Sequence, residues 1–325
     1  MKRKGNLYPE VIAFNNLYIS FLKAFKGCRK NFESLSFFFD LERNLWQLKK
    51  ELEEHSYCPG SYRYFKIYDP KERLIAVAPF KDRVVHHAIV NVLEPVYERR
   101  FIYDSYATRK DKGTHKAILR AQSFLRRNRW FLKTDIKKYF DSVDHDILLK
   151  ILERKIKDKR MSYLLEKIIR NGGKDGKGLP IGNLTSQFLA NVYLDIFDHF
   201  VKDKLRVRYY VRYMDDMAFF SNDKSDLKKL KNIFTDFLAR ELQLGFQNPF
   251  INQQLNGLSF LGARIFPELL RIKPESLNRC VKKVKKRFYE QKQGRIEEEN
   301  LKQGLASIDG YISFFNAQRL KREIF

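Results

Sequence analysis

The chain predicts an α+β fold: a four-stranded antiparallel sheet with helices on one face, set among helical additions at both ends. Three observations predict it. Between residues 130 and 265 the linear order of elements is strand, helix, strand, strand, helix, strand, the β-α-β-β-α-β arrangement of a ferredoxin-like sheet. Apolar residues recur three and four apart before and after that stretch. Two short aromatic-rich β runs, Tyr209 to Tyr213 and Met217 to Ser221, enclose the adjacent acids Asp215 and Asp216. With 325 residues, 44% hydrophobic and 14% aromatic, the chain can bury one large core or two to three smaller ones.

Taken in order, residues 7 to 55 read as amphipathic helix, with Phe37, Phe38, Leu41, Leu45, Trp46, Leu48 and Leu52 as apolar neighbours. Tyr62 to Tyr68 and Arg73 to Val77 read as a hairpin joined by the turn-forming Asp69-Pro70-Lys71-Glu72. Lys66 and Arg73 stand on opposite strands of it and are expected to meet across the ladder, which suits a triphosphate. Edge protection is the plainer reading of the same charges. Phe80 to Tyr97 is helical, and His86 and His87 point about 100° apart there, so they suit packing or phosphate contact better than a shared metal. The basic, aromatic loop Tyr106 to Gly113 carries Arg109 and Lys112 and is suited to a nucleic-acid backbone. A helix from Thr114 to Arg127 follows.

Trp130 to Ile136 reads as a buried strand that delivers Asp135 to its end. Asp144 to Ile156 is helical. The glycine-rich stretch 171–178 then breaks the chain, too lysine-rich and irregular for a phosphate loop. Leu179 to Gln187 leads into a helix reaching about Lys204, and after the acidic hairpin come a helix from Ser225 to Leu242 and an apolar strand from Leu258 to Ile265. Beyond Arg271 the chain turns helical and basic, with Val281, Val284 and Phe288 expected in the core. A second helix, Ile308 to Gln318, packs against it.

Alone, Asp215 and Asp216 read equally as a solvated turn. Asp135 changes that balance, because in this topology it is expected beside the hairpin, with the first strand and the strand leading into the hairpin as central neighbours. Acids at two strand ends can grip Mg²⁺, which takes one or two protein carboxylates and completes its shell with water and phosphates. Two such ions about 3.5 to 4 Å apart drive in-line phosphoryl transfer.

Lysine and arginine total 64 against 39 aspartates and glutamates, a formal +25 spread along the chain, which favours a polyanion such as nucleic acid over a merely solvated surface. No apolar run approaches the roughly 20 residues of a spanning helix, and Met1 to Asn6 lacks a following signal segment, so no membrane and a cytoplasmic location are expected. Cys28, Cys58 and Cys280 are scattered and odd in number, which indicates neither a disulfide framework nor a zinc site.

From about residue 60 onward this ordered set of motifs resembles a reverse transcriptase with fingers, palm and thumb. The resemblance implies a right-hand polymerase fold: an N-terminal helical extension over 1–56, fingers over 57–129, a ferredoxin-like palm over 130–268 with fingers-associated helices at about 144–180, and a small, basic, helical thumb over 269–325. It implies Asp135, Asp215 and Asp216 as the catalytic acids, with Asp135, its neighbour Ile136 and Asp215 at the metal, two Mg²⁺ ions with Mn²⁺ as a substitute, and Asp216 supporting. Phe140, five residues after Asp135, matches the aromatic position that blocks a ribose 2′-hydroxyl, and Lys66 and Arg73 match finger residues that grip nucleotide phosphates. Ile181, Gly182 and Gln187 fall in the nucleotide-pocket motif. Tyr213 and Met214 of the hairpin, Gly262 in the primer-supporting Leu258-Ser259-Phe260-Leu261-Gly262 segment, and Lys282, Lys283 and Lys286 of the thumb are implied nucleic-acid contacts, alongside Arg109 and Lys112.

The pocket motif departs from the usual Gln-Gly and Ser-Pro pattern, because this chain has Ile181-Gly182 and Ser186-Gln187. The block Ile181 to Gln187 resembles the reverse transcriptases of diversity-generating retroelements, which copy a template RNA with errors at adenines. That implies template RNA, RNA/cDNA duplex and dNTPs as ligands and a small basic accessory protein, itself oligomeric, as partner. A retron, group II intron-like or phage-defence reverse transcriptase would share the palm but differ in the pocket motif. A basic RNA-binding scaffold with vestigial acids is the non-enzymatic alternative. No endonuclease or zinc module follows Phe325, so target cleavage or integration is expected to rely on other factors.

Overall fold

The computed structural model describes residues 3–29, 31–68 and 72–317. From the N-terminus the chain forms helices α1 (Tyr8–Ile12), α2 (Phe14–Phe25), α3 (Phe32–Phe39) and α4 (Leu41–Glu53), strands β1 (Arg63–Ile67) and β2 (Arg73–Val77), and helices α5 (Phe80–Glu98) and α6 (Thr114–Leu125). Strand β3 (Trp130–Ile136) precedes α7 (Tyr139–Ser142), α8 (His145–Glu153), α9 (Lys159–Arg170) and α10 (Leu184–His199), the last running on as a π-helical turn, Phe200–Lys204. Then come β4 (Tyr210–Tyr213), β5 (Asp216–Ser221), α11 (Lys224–Leu242), β6 (Phe246–Gln253), β7 (Leu258–Phe260), β8 (Ala263–Ile265), β9 (Leu270–Ile272), α12 (Pro274–Lys292) and α13 (Glu298–Ser313). They fall into two compact units that alternate along the sequence: Met1–Tyr103, Ile136–Val207 and Thr235–Gly245 make the first, and Asp104–Asp135, Arg208–Phe234 and Phe246–Phe325 the second.

The first unit is helical around the β1–β2 hairpin. Leu17 and Phe21 of α2, Leu45, Leu48 and Leu52 of α4, and Val84, Val85, Ala88 and Leu93 of α5 are buried, the spacing of one apolar stripe per helix. Phe21, Phe25, Phe37, Phe38 and Phe80 form an aromatic cluster with ring centroids 5.3 to 6.4 Å apart. Helix α10 is buried nearly all round, through Leu189, Val192, Tyr193, Leu194 and Phe197, which marks it as the core helix of this unit. Helices α8 and α9 start at Asp144 and Asp158, whose carboxylates accept from the second and third helical N–H groups. His86 is buried and His87 half-buried on α5. Burial pushes the first down to about 3 and the second to about 4, so both are neutral packing groups.

The second unit holds a four-stranded sheet in the order β4-β5-β3-β6 and a three-stranded sheet β7-β8-β9. The first has the ferredoxin strand order, with two differences from expectation. The fourth strand is β6, not the Leu258–Ile265 run. Leu261 and Gly262 take φ of 50° and 82°, the backbone of a two-residue turn, and this folds the apolar run into the β7–β8 hairpin with Phe260 opposite Ala263. β6 carries Asn248 at φ 45° and Pro249, both tolerated because it is an edge strand. The second difference is that β3 pairs with β5, the strand leaving the acidic hairpin, rather than with β4 leading into it.

Around these sheets Ala117, Ile118 and Ala121 of α6, Phe131, Val211, Ala218 and Phe220 of the first sheet, Leu258, Phe260 and Ile265 of the second, and Ile312 of α13 form one core. Helix α12 buries Ser276, Cys280 and Val284, four residues apart, whereas Phe288 is 43% exposed and is not the core residue expected. The last helix begins ten residues before Ile308 and ends at Ser313; Gln318 lies outside the described residues, as do residues 69–71 of the expected turn. No helix among the described residues is long and apolar enough to cross a membrane.

Candidate active site

Three acids meet at one end of the first sheet. The antiparallel β3–β5 ladder pairs Lys133 with Ala218 and Thr134 with Met217, and the same register carries Asp135 to the position opposite Asp216. Directly opposite residues share a face with Cβ atoms about 4.5 to 5.5 Å apart. In the β4–β5 ladder Tyr213 faces Asp216, so Met214 and Asp215 are the two residues of the turn. Met214 takes φ 55°, a left-handed conformation that a two-residue hairpin turn demands and that costs a non-glycine residue about 1 kcal/mol or more. Asp216 therefore opens β5 instead of sitting at the tip with Asp215. The ladder behind the acids is buried at Leu132, Thr134, Tyr210, Val211, Met217, Ala218 and Phe219, which leaves its ends little freedom.

Arg212 braces that hairpin from within. It is fully buried, its Nη1 donates to the Met214 carbonyl at 3.0 Å, its main-chain N–H donates to the Asp104 carbonyl at 2.9 Å, and its carbonyl accepts from Tyr106 N–H at 2.9 Å. A guanidinium is the side chain suited to reach a turn carbonyl while keeping several donors satisfied. The acids lie close enough to act on one another. Burial pushes the Asp216 carboxyl up to about 6, the Lys133 ammonium bonded to it opposes the rise, and the charges of Asp215 and Asp135 add to it. Burial also pushes the Lys273 amine down, against the pull of Glu275 and Asp216.

As donors, three carboxylates suit a hard cation such as Mg²⁺ or Mn²⁺. Their mutual repulsion at Asp216 is what a bound dication would relieve. Among the described residues, however, no group of three or more His, Cys, Asp or Glu side chains is gathered tightly enough to hold an ion as it stands. Asp216 is instead satisfied by Lys133. Ile136, the last residue of β3, is buried, so only its main chain is available to a ligand.

In the first unit the pocket motif is fixed by main chain. The Ala76 N–H of β2 donates to the Ile181 carbonyl at 2.8 Å, and Asn183 Nδ2 donates to the Ala76 carbonyl at 3.1 Å, so residues 181–183 dock on the end of the hairpin. Gly182, at φ 112°, lies so close to β2 that an added Cβ would meet Ile75 Cγ2 at 2.8 Å and the Ala76 carbonyl oxygen at 3.1 Å. Glycine is required there on both counts. Ile181 and Gln187 are half-buried, and so is Phe140, whose carbonyl accepts from Leu179 N–H at 2.7 Å. Lys66 and Arg73 do not meet across the ladder. Lys66 faces Leu74 and Arg73 faces Ile67, which puts the two cations on opposite faces of the hairpin, and Lys66 Nζ pairs with Glu72 at 2.7 Å.

Among the expected nucleic-acid contacts, Arg109 donates to the Ser105 carbonyl at 2.8 Å and Lys112 lies 4.9 Å from the centre of the Tyr106 ring, so part of that loop's basic character holds its own shape. Gly262 accepts from Lys273 N–H, with Ser276 and Tyr311 hydroxyls close by. Lys282 and Lys283 are exposed on α12, and Lys286 Nζ lies 3.7 Å from Glu290.

A family model described as reverse transcriptase (RNA-dependent DNA polymerase) matches residues 67–248, more than half of the chain. The chain belongs to that family. This reverse transcriptase is 32% identical over 173 residues to protein YkfC of Escherichia coli, a match covering 48% of the chain and 45% of YkfC. It is 30% identical over 207 residues to the group II intron-encoded protein LtrA of Lactococcus lactis, covering 60% of the chain and 34% of LtrA. The matches thus span less than half the length of these relatives. The fold is similar to that of telomerase from Candida albicans, with a TM-score of 0.52 at 13% identity, covering 82% of the chain and 59% of the telomerase. Of the residues that build the site, Arg212 and Lys133 are not marked by any motif in the sequence. The available signal was the same for both: a cation in the interior of an otherwise apolar β run.

Proposed function

We propose that this reverse transcriptase is an RNA-dependent DNA polymerase that extends a primer 3′-hydroxyl by in-line attack on the α-phosphate of a dNTP. The observation that carries the reading is the β3–β5 ladder, whose last pair Thr134–Met217, continued one step, brings Asp135 to Asp216, with Asp215 in the adjoining turn. Asp135 and Asp215, with the main chain of Ile136, would hold Mg²⁺ or Mn²⁺, and Asp216 would support them. Such ions, when bound, activate the attacking hydroxyl and stabilise the leaving phosphate oxygen. The rest is positioning. Lys66 and Arg73, one on each face of the exposed hairpin, would reach the polyphosphate separately through their long side chains, Phe140 excludes a 2′-hydroxyl, and Ile181-Gly182 lines the base pocket on a main-chain frame. Tyr213, Met214, Gly262 and the lysines of α12 hold primer and template, and the +25 charge supplies salt-dependent affinity for the RNA/cDNA duplex. A telomerase of similar fold was solved with a fragment of telomeric RNA, which is in keeping with an RNA template here.

The test is Mg²⁺-dependent incorporation of dNTPs on a primed RNA, with Asp215→Ala as control. RNA binding without incorporation in the unaltered protein would favour a scaffold instead.

The finer reading is a mutagenic retroelement enzyme, cytoplasmic and assisted by a small basic accessory protein, and it is supported by the block Ile181 to Gln187 alone. An apolar branched group in place of an amide separates near-isosteric bases by only about 1–3 kcal/mol. The group II intron-encoded relative LtrA favours a second reading, an intron-type polymerase without the bias at adenine. Sequencing cDNA made on a defined RNA distinguishes them: errors concentrated at template adenine, and reduced by Ile181→Gln, support the mutagenic reading, and an even error spectrum supports the intron-type one.

A further inference from the structure

Lys133 has no part in the mechanism so far. It lies on β3 two residues before Asp135, opposite Ala218, with its side chain only 12% exposed. Placing an ammonium within a buried ladder is costly unless it is paired, and an apolar β-former would suit the strand better. Its Nζ bonds the Asp216 carboxylate, donates to the Thr134 carbonyl at 3.3 Å and lies 5.8 Å from the centre of the Phe260 ring. The single carboxylate it holds belongs to the acid cluster, whose other two members stand at the neighbouring register positions.

We infer that Lys133 is a built-in counter-cation for the acid cluster, neutralising Asp216 while the carboxylates hold no divalent ion and opposing by its charge the binding of that ion at the neighbouring Asp135 and Asp215. The inference rests on the polymerase reading insofar as that reading makes the acids metal ligands. It assigns Lys133 a positioning role with two separable consequences. Without metal, the ammonium keeps three clustered carboxylates from repelling one another. With metal, it weakens binding, since a fixed positive charge beside a dication is unfavourable even at high dielectric.

The experiment compares the full chain with Lys133→Met, Lys133→Arg and the double variant Lys133→Met/Asp216→Asn. Melting is followed at pH 8 in chelator and in Mg²⁺, and binding of Mn²⁺ is measured from the free-ion electron paramagnetic resonance signal. Lys133→Met is expected to melt lower than wild type in chelator, to regain much of the difference in Mg²⁺, and to bind Mn²⁺ on the order of tenfold more tightly. Lys133→Arg is expected to follow wild type in both assays. If Lys133→Met does not fold, a folded double variant melting near wild type in chelator carries the same point, because its acid cluster has lost one charge.

Unchanged chelator melting and unchanged Mn²⁺ affinity in Lys133→Met would overturn the inference, as would a double variant no more stable than the single one. Failure of the polymerase reading looks different. There, wild type itself binds no Mn²⁺ and incorporates no dNTP.

Discussion

β1–β2 and β4–β5 are both short antiparallel hairpins carrying charged side chains, yet they are supported in opposite ways. The first is a two-stranded sheet of its own, and Tyr64, Phe65, Lys66 and Leu74 are each at least half exposed on it. The second is flanked by β3, and only Tyr213, Asp216 and Ser221 of its strand residues are not fully buried. Carboxylates that must share an ion need a fixed separation, which a buried ladder provides. Cations that close on a flexible polyphosphate need reach, which an exposed ribbon and long side chains provide. On the proposed function, the buried ladder would thus carry the step set by distance and the exposed hairpin the one set by charge.

The comparison is open to attack first at Arg212. If the acidic hairpin is rigid because a buried guanidinium braces its turn, Arg212→Leu should lose about 3–5 kcal/mol of stability in chemical denaturation, since it strips partners from buried polar groups. A loss under about 1 kcal/mol would mean that the ladder alone fixes the turn. At the foot of the exposed hairpin, Gly182→Ala should cost about 1–3 kcal/mol, because the added methyl meets Ile75 and the Ala76 carbonyl at a backbone angle alanine resists. Unchanged melting there would show that β2 moves aside easily.

Acid should then separate the two regions. His86 and His87, on the helix that follows β2, have folded values lowered to about 3 and about 4, below the unfolded value near 6.5. The unfolded state binds more protons across that window, so the contribution of these residues is present above about pH 6.5 and is lost as pH falls toward 3. Asp216 behaves oppositely. Its folded value is raised to about 6 from 3.8, so its ionisation weakens the fold as pH rises from about 4 to 6. Amide exchange compared at pH 7 and pH 5 should show protection falling in α5 and not in β5; a parallel fall in both would contradict the assignment. The smallest stability effect belongs to Lys66→Ala, within about 0.5 kcal/mol because its pair with Glu72 is exposed. The same variant should raise the KM for dNTP several-fold in steady-state kinetics while leaving kcat nearly unchanged.

Much of this was legible in local pattern. The alternation around Asp215 and Asp216, the apolar run ending at Asp135 and the four-residue spacing in α10 each depend on neighbours a few positions away, and the structure has these elements. What escaped depends on parity and on special backbone. Lys66 and Arg73 fall on opposite faces because the β1–β2 register pairs residues whose numbers sum to an even total, and nothing in the strands themselves sets that register. The Leu258–Ile265 run read as one strand because a Leu-Gly pair at positive φ is a rare turn signal, and β6 was missed because its polar, proline-bearing sequence suits only an edge. Arg212 was hidden by its own burial, for charge inside a β run ordinarily marks the solvent face.

The alternation of the two units along the sequence has a consequence for biosynthesis. The chain enters each unit three times, and the last segment of the first unit ends only at Gly245, so no contiguous half of the gene encodes a self-sufficient body. On a ribosome emitting about 5–20 residues each second, neither core can close until most of the polypeptide has emerged, and early helices must wait with greasy faces uncovered. Cutting the reading frame at a midpoint should therefore yield aggregates, and folding helpers should matter more for this protein than its helical content suggests.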